Sequence, residues 1–192
     1  MVQNHTTACV ILAAGLSTRM GKCKSTLLWD KNQTFLQKIT TEYTTFGCPQ
    51  IIVVVNEKFK TSTSTSQIHF VTNPAPHKER FYSLKLGLQK VQQPFCFLQP
   101  IDQPFVDVKL LQQLSCSLGE KDYIVPCFEK RGGHPILFGK KVIERIANSP
   151  HDDENLREVL RGFHRINLNV SCDHVLRNID TPQEYDRYFS GK

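Results

Sequence analysis

The chain has 192 residues, 40% of them hydrophobic and 22% charged, which suits one globular domain built on one core, residues 1–192. No apolar run approaches the roughly 18 residues that cross a bilayer, and the polar start Met1–Thr7 lacks an export signal's layout; a cytoplasmic protein with no membrane partner is expected. The formal charge of +6 is spread along the chain rather than gathered in a block, so small phosphorylated ligands explain it as well as nucleic acid does.

Short β-rich apolar runs alternate with amphipathic stretches, the pattern of an α/β domain with a mostly parallel sheet. The predicted strands are Ala8–Leu12, Gln50–Val55, Ile68–Thr72, Phe95–Gln99, Tyr123–Cys127 and Arg165–Val170. Helical spacing marks Phe35–Phe46, Glu79–Val91, Val108–Leu118, Lys140–Ala147 and Asn155–Phe163. The polar run Thr61–Ser66 reads as an exposed loop. Gly132-Gly133 suggests a tight turn, with Ile136-Leu137-Phe138 the arm of a hairpin over the active site, so a small antiparallel excursion is expected around Tyr123–Phe138. Asp152, Asp153 and Glu154 read as acidic charge complementing a helix start. Further on, Thr181-Pro182-Gln183-Glu184 is a capping box that sets Asp180 at a helix mouth.

Chemistry concentrates after the first strand, in Leu12-Ala13-Ala14-Gly15-Leu16-Ser17-Thr18-Arg19-Met20-Gly21-Lys22-Cys23-Lys24. An open parallel sheet places its ligand crevice there. Small residues let a nucleotide approach the backbone, loop N–H groups cradle phosphate oxygens, and Arg19, Lys22 and Lys24 offset their charge. Five residues separate Gly15 from Gly21 and Lys-Cys follows, which excludes both the Rossmann and the Walker A loops.

The pattern L-A-A-G-x-S-x-R-M-G-x-x-K resembles the signature of the molybdenum cofactor cytidylyltransferase-like nucleotidyltransferases, within the MobA-like superfamily. The resemblance continues in order through Asn73-Pro74, Ser83-Leu84, Pro100-Ile101-Asp102-Gln103-Pro104, Gly133-His134-Pro135, Asn155–Leu160 and Ile179–Pro182. It implies a three-layer Rossmann-like fold, with a nucleotide-binding part over residues 8–106 and an acceptor-binding part over 107–180. It also implies Mg²⁺ as cofactor, CTP and a phosphorylated, molybdopterin-type acceptor as substrates, and a molybdoenzyme as a protein partner. Ala-Ala-Gly looks like the cytidylyl-transferring branch, whereas the guanylyl-transferring branch usually shows Ala-Gly-Gly. The sequence departs from the family where Cys23, Arg80, Gly132 and Asn178 stand.

Site roles follow from residue chemistry and from that resemblance together. Leu12, Ala13, Ala14 and Gly15 would hold the nucleotide, with Arg19, Lys24 and Asp102 as catalytic and phosphate- or metal-binding groups. Asp102, fixed between Pro100 and Pro104, is the first Mg²⁺ ligand and Asp180 the second; a helix or turn cap is the competing role for each. Asn73 either reads the base or ribose or closes a turn before Pro74. Ser83 would contact the base or simply lie in the first turns of a helix, and His134 and Asn155 would contact the acceptor, with a packed or solvated histidine the competing role for His134. Seven cysteines without C-x-x-C, scattered histidines, and aromatics not interleaved with basic residues predict no zinc site, no disulfide framework and no nucleic-acid platform.

Overall fold

The computed structural model describes residues 6–59 and 65–189, so Met1–His5 and Thr61–Ser64 of the polar run lie outside the described residues, while Thr65 and Ser66 are exposed. One sheet runs through the described chain: β1 (Thr7–Ala13), β2 (Gln50–Asn56), β3 (Ile68–Asn73), β4 (Phe95–Pro100), β5 (Tyr123–Phe128), β6 (Arg131–Gly132), β7 (Ile136–Gly139) and β8 (Arg165–Asn169). Strands β3, β2, β1 and β4 pair in parallel, as do β5 and β8. Six helices flank them: α1 (Phe35–Phe46), α2 (Glu79–Leu88), α3 (Val108–Ser117), α4 (Lys140–Ala147), α5 (Leu156–Leu160) and α6 (Pro182–Phe189).

Alternation along a fully buried strand produces the three layers. In β1, Cys9, Ile11 and Ala13 face a cluster with α1, α3 and α6, whereas Ala8, Val10 and Leu12 face one with α2, α4 and α5. Local chemistry fixes the ends. Thr34 and Gln37 form a reciprocal capping box on α1, Gly47 closes it at φ 98°, and Asp107 caps α3. Trp29 joins a ring cluster with Phe35, Phe105 and Phe189. All seven cysteines are free, and Cys9, Cys48, Cys96 and Cys127 are buried.

The expected antiparallel excursion around Tyr123–Phe138 is present, but its turn and its last arm differ from expectation. β5 and β6 form the hairpin, whereas Ile136-Leu137-Phe138 lies in β7, inside the sheet and antiparallel to both β4 and β5, with every residue buried. The hairpin turn is made by Glu129 and Lys130, both left-handed (φ 48° and 64°), because the β5–β6 register leaves only those two residues to reverse the chain. Gly132 and Gly133 answer to close approach instead: a Cβ at Gly133 would lie 2.1 Å from the Val175 carbonyl oxygen, and one at Gly132 2.8 Å from Arg165 Nη2.

Close approach also governs the seating of α2 on the sheet. A Cβ at Gly87 would fall 2.5 Å from Val10 Cγ1 and 3.0 Å from Val54 Cγ2, atoms of stiff branched core side chains. Gly87→Ala should therefore destabilise the fold by about 1–3 kcal/mol despite alanine's better helix propensity. Urea unfolding measures this, and a more stable variant would show that α2 is free to shift.

The acidic run before α5 also departs from expectation. Asp152 bridges Lys78 and Lys85, at 2.9 and 2.8 Å, and Glu154 pairs with both guanidinium nitrogens of Arg145 and with Ser149. These carboxylates tie the loop to α2 and α4 rather than serving only the α5 terminus. Arg145 and Ser149 hold the Glu154 carboxyl down at about 2, so its stabilisation is present above the ordinary glutamate range and disappears as pH falls toward 2. Glu154→Gln should lower Tm at pH 7 by a few degrees, with the gap to wild type closing at acid pH; an unchanged gap from pH 7 to 2 would contradict the linkage.

Candidate active site

The register aligns Leu12 of β1 with Pro100 of β4, and Ile101 N–H donates to the Leu12 carbonyl at 3.1 Å, so the loops leaving both strands start side by side. In the first loop the Ser17 carbonyl accepts from Met20 and Gly21 N–H, and buried Met20 anchors the loop in the core. A single 3₁₀ turn, Lys24–Thr26, then returns Lys24 to the crevice. A Cβ at Gly15 would meet nothing within 4 Å, so no packing inside the protein demands glycine there, and the backbone stands open to the crevice.

Buried polar chemistry holds the second loop. Gln99 accepts from the Tyr43 hydroxyl and donates to the carbonyls of Pro100 and Gln103, at 3.1, 2.8 and 2.9 Å. Asp102 caps no helix, since Asp107 caps α3. Instead its backbone carbonyl accepts from Ile179 N–H at 2.8 Å, which stitches the second acidic segment alongside. Glu184 accepts from the N–H groups of Asp180 and Thr181, and Thr181 Oγ1 accepts from Glu184 N–H. The expected capping box thus holds the backbone while leaving the Asp180 carboxylate to the crevice.

Lys24 Nζ lies 2.5 Å from Asp180 Oδ1 and 3.3 Å from Asp102 Oδ2, so residues far apart in sequence converge on one ammonium. Arg19 reaches Asp180 at 3.3 Å, and Arg80 lies 3.8 Å from Asp102. Burial pushes the Asp180 carboxyl up, but the Lys24 hydrogen bond and the charges of Lys24, Arg19 and Arg80 outweigh it and leave the group below its ordinary range. Two mostly buried carboxylates aimed at one cationic position are hard oxygen donors of the kind that suit Mg²⁺.

These groups line a cavity of about 260 Å³. Eight of the nine expected nucleotide contacts border it: Leu12, Ala13, Ala14, Gly15, Arg19, Lys24, Ser83 and Asp102. Asn73 is fully buried behind them, donating to Ser83 Oγ at 2.8 Å and accepting from Ala75 N–H at 2.8 Å; its amide positions Ser83 and closes the turn. A second cavity of about 1000 Å³ adjoins the first and contains His134 and Asn155 in its lining. Asn155 caps α5 through Arg157 N–H. Burial, then the charge of Arg80, lowers His134 to about 4, so the imidazole is neutral near pH 7, and its Nδ1 has no hydrogen-bond partner.

Residues 9–174 match the MobA-like NTP transferase domain. The chain belongs to that family. It is 29% identical over 181 residues to a molybdenum cofactor cytidylyltransferase of Escherichia coli K12, covering 92% of each chain. A probable molybdenum cofactor guanylyltransferase of Bacillus cytotoxicus is 22% identical over 191 residues, again with 92% of each covered. Among solved structures, a manganese complex of Rv0371c from Mycobacterium tuberculosis superposes with a TM-score of 0.73 at 21% identity, over 97% of this chain and all of the other. As a MobA-like transferase the protein is a nucleotidyltransferase of three-layer α/β architecture.

One feature of this MobA-like site, and one cluster that borders neither cavity, are not evident from the sequence. Arg80 borders both cavities, although sequence marks it only as a departure from the family. The signal available was its place in the first turn of α2, three residues before Ser83. Cys172, Asp173 and His174 gather within 4.8 Å despite the scattered sequence pattern, but Asp173 is already paired with Arg177 at 2.7 Å and His174 stacks on Phe105.

Proposed function

We propose that the protein transfers CMP from CTP to a phosphorylated, molybdopterin-type acceptor and releases pyrophosphate, with Mg²⁺ as cofactor. The observation that carries this reading is the meeting of Lys24, Asp102 and Asp180 at the floor of a crevice bordered by Ala13-Ala14-Gly15. Residues 8–106 hold the nucleotide and residues 107–180 supply most of the acceptor side. Ala-Ala-Gly, with the 29% identity to a cytidylyltransferase, favours CTP. The manganese complex of a structural relative supports a divalent ion. Seven free thiols fit a reducing, cytoplasmic setting, no helix among the described residues is long and apolar enough to cross a membrane, and a molybdopterin-type product would pass to a molybdoenzyme.

The chain's own groups act by position and charge. Backbone from Ala13 to Gly15 lies against the nucleotide, and Ser83, fixed by Asn73, faces the base. Arg19 and Lys24 bind the polyphosphate and offset charge growing on pyrophosphate as it leaves. Asp102 and Asp180 would hold Mg²⁺, which supplies Lewis-acid neutralisation of phosphate oxygens. His134 and Asn155 border the acceptor. No protein nucleophile is required, because an acceptor phosphate oxygen attacks the α-phosphorus directly.

Thermal stabilisation by CTP, GTP, ATP and UTP with Mg²⁺ tests the assignment, followed by pyrophosphate release with molybdopterin cofactor. CTP at about one hundred times its Kd should raise Tm on the order of 5–10 °C. A GTP preference would move the protein to the guanylyl branch. Release only with a sugar or alditol phosphate would change the acceptor, and binding without turnover would favour a cofactor chaperone.

A further inference from the structure

Among the described residues, only Leu12, Glu79, Arg80 and Pro100 border both cavities, and Arg80 is the sole cation of the four. Its placement is built rather than incidental. Asp152 grips Lys78 and Lys85 on either side of it, fixing the first turns of α2. Glu79, the residue immediately before, sits in the left-handed region at φ 38°, a conformation that a non-glycine residue adopts at a cost. The guanidinium is nevertheless lightly held: its side chain is 67% exposed and its one ion pair, to Asp102, spans 3.8 Å.

A transfer between two phosphates brings two anions together at the junction of the cavities, where Coulomb repulsion opposes approach. A planar guanidinium can donate to two phosphate oxygens at once, which a single ammonium cannot do with the same directional fit. Lys24 and Arg19 border only the nucleotide cavity, and Arg131, Arg157 and Arg165 only the other. Arg80 alone can act where the two ligands must touch.

We propose that Arg80 is the acceptor-phosphate clamp, gripping a phosphate monoester and presenting its oxygen to the α-phosphorus; this rests on the nucleotidyl-transfer reading above. An oxygen lone pair of the acceptor phosphate forms the new P–O bond, the α–β bridging bond breaks, and pyrophosphate leaves with that electron pair. Arg80 neither gives nor takes a proton. The consequence is specificity: the acceptor reacts through a phosphate rather than a neutral hydroxyl or amine.

The test uses the full chain with phenyl phosphate as acceptor probe, phenol as its uncharged counterpart and α,β-methylene-CTP as an unreactive nucleotide. Binding is measured by calorimetry for wild type, Arg80→Lys and Arg80→Met, with and without the nucleotide. Arg80→Met should weaken phenyl phosphate about tenfold or more, the usual scale for losing a charge-assisted contact, and Arg80→Lys should fall between. Nucleotide affinity, phenol binding and Tm should stay near wild type. The clamp is overturned if wild type does not bind phenyl phosphate, if Arg80→Met binds it equally well, or if the nucleotide weakens as much as the phosphate does. Phenyl phosphate held through Arg80 by a protein that ignores the nucleotide would instead overturn the CTP reading and, with it, the presenting role of Arg80, leaving only a phosphate-binding residue.

Discussion

Lys24→Ala lowers kcat for nucleotidyl transfer by about 10²–10³ while raising the KM for CTP far less, because its ammonium is needed most where charge develops on the leaving pyrophosphate. The same substitution has a second, independent signature. In the ligand-free protein Lys24 is the counter-charge for two carboxylates, at 2.5 and 3.3 Å, and its side chain is only 13% exposed. Removing it leaves Asp102 and Asp180 facing each other with only the looser Arg19 and Arg80 contacts, at 3.3 and 3.8 Å. Tm should therefore fall, and Mg²⁺ alone should stabilise Lys24→Ala more than wild type, since a divalent ion restores the missing charge. Steady-state kinetics and a Mg²⁺ melting series measure the two effects. Equal Mg²⁺ stabilisation of both proteins would mean that the acids do not share one cation position.

The parts of this site that sequence could announce are those written in contiguous residues. Leu12–Lys24 is one segment whose composition states its purpose, and β1, β2 and β4 are apolar runs whose burial on both faces follows from their content. Helix α1 covers the residues that apolar spacing marks, Phe35–Phe46, with Thr34, Gln37 and Gly47 fixing its ends. What stayed hidden depends on partners remote in sequence. The continuous apolar run Ile136–Phe138 suggests a strand but cannot say that it enters the sheet between β4 and β5. Gly132 and Gly133 look like turn residues until Arg165 and Val175 are seen against them. Asp152 reads as a helix-start charge until Lys78 and Lys85 close on it. Arg80 gains its meaning only from two cavities that share it.

Asp102→Asn is the sharper probe of the metal assignment, because it keeps the side chain's size while removing the charge that a hard cation requires. Asp102 is buried, and its carbonyl bond from Ile179 N–H does not involve the side chain, so the loop architecture should persist. Turnover should drop about 10²–10³, with the Mg²⁺ concentration for half-maximal rate shifted upward. Asp180→Asn should cost less. Its carboxylate sits farther toward solvent, 20% exposed against 12% for Asp102, and it faces both Arg19 and Lys24. Much of its charge is thus already answered by the protein's own cations. Titrating Mg²⁺ into the turnover assay for both variants ranks them. If Asp180→Asn abolishes turnover while Asp102→Asn stays within about tenfold of wild type, the principal ligand is the acid at the mouth of α6, and Asp102 serves chiefly to hold Lys24 and Arg80 in place.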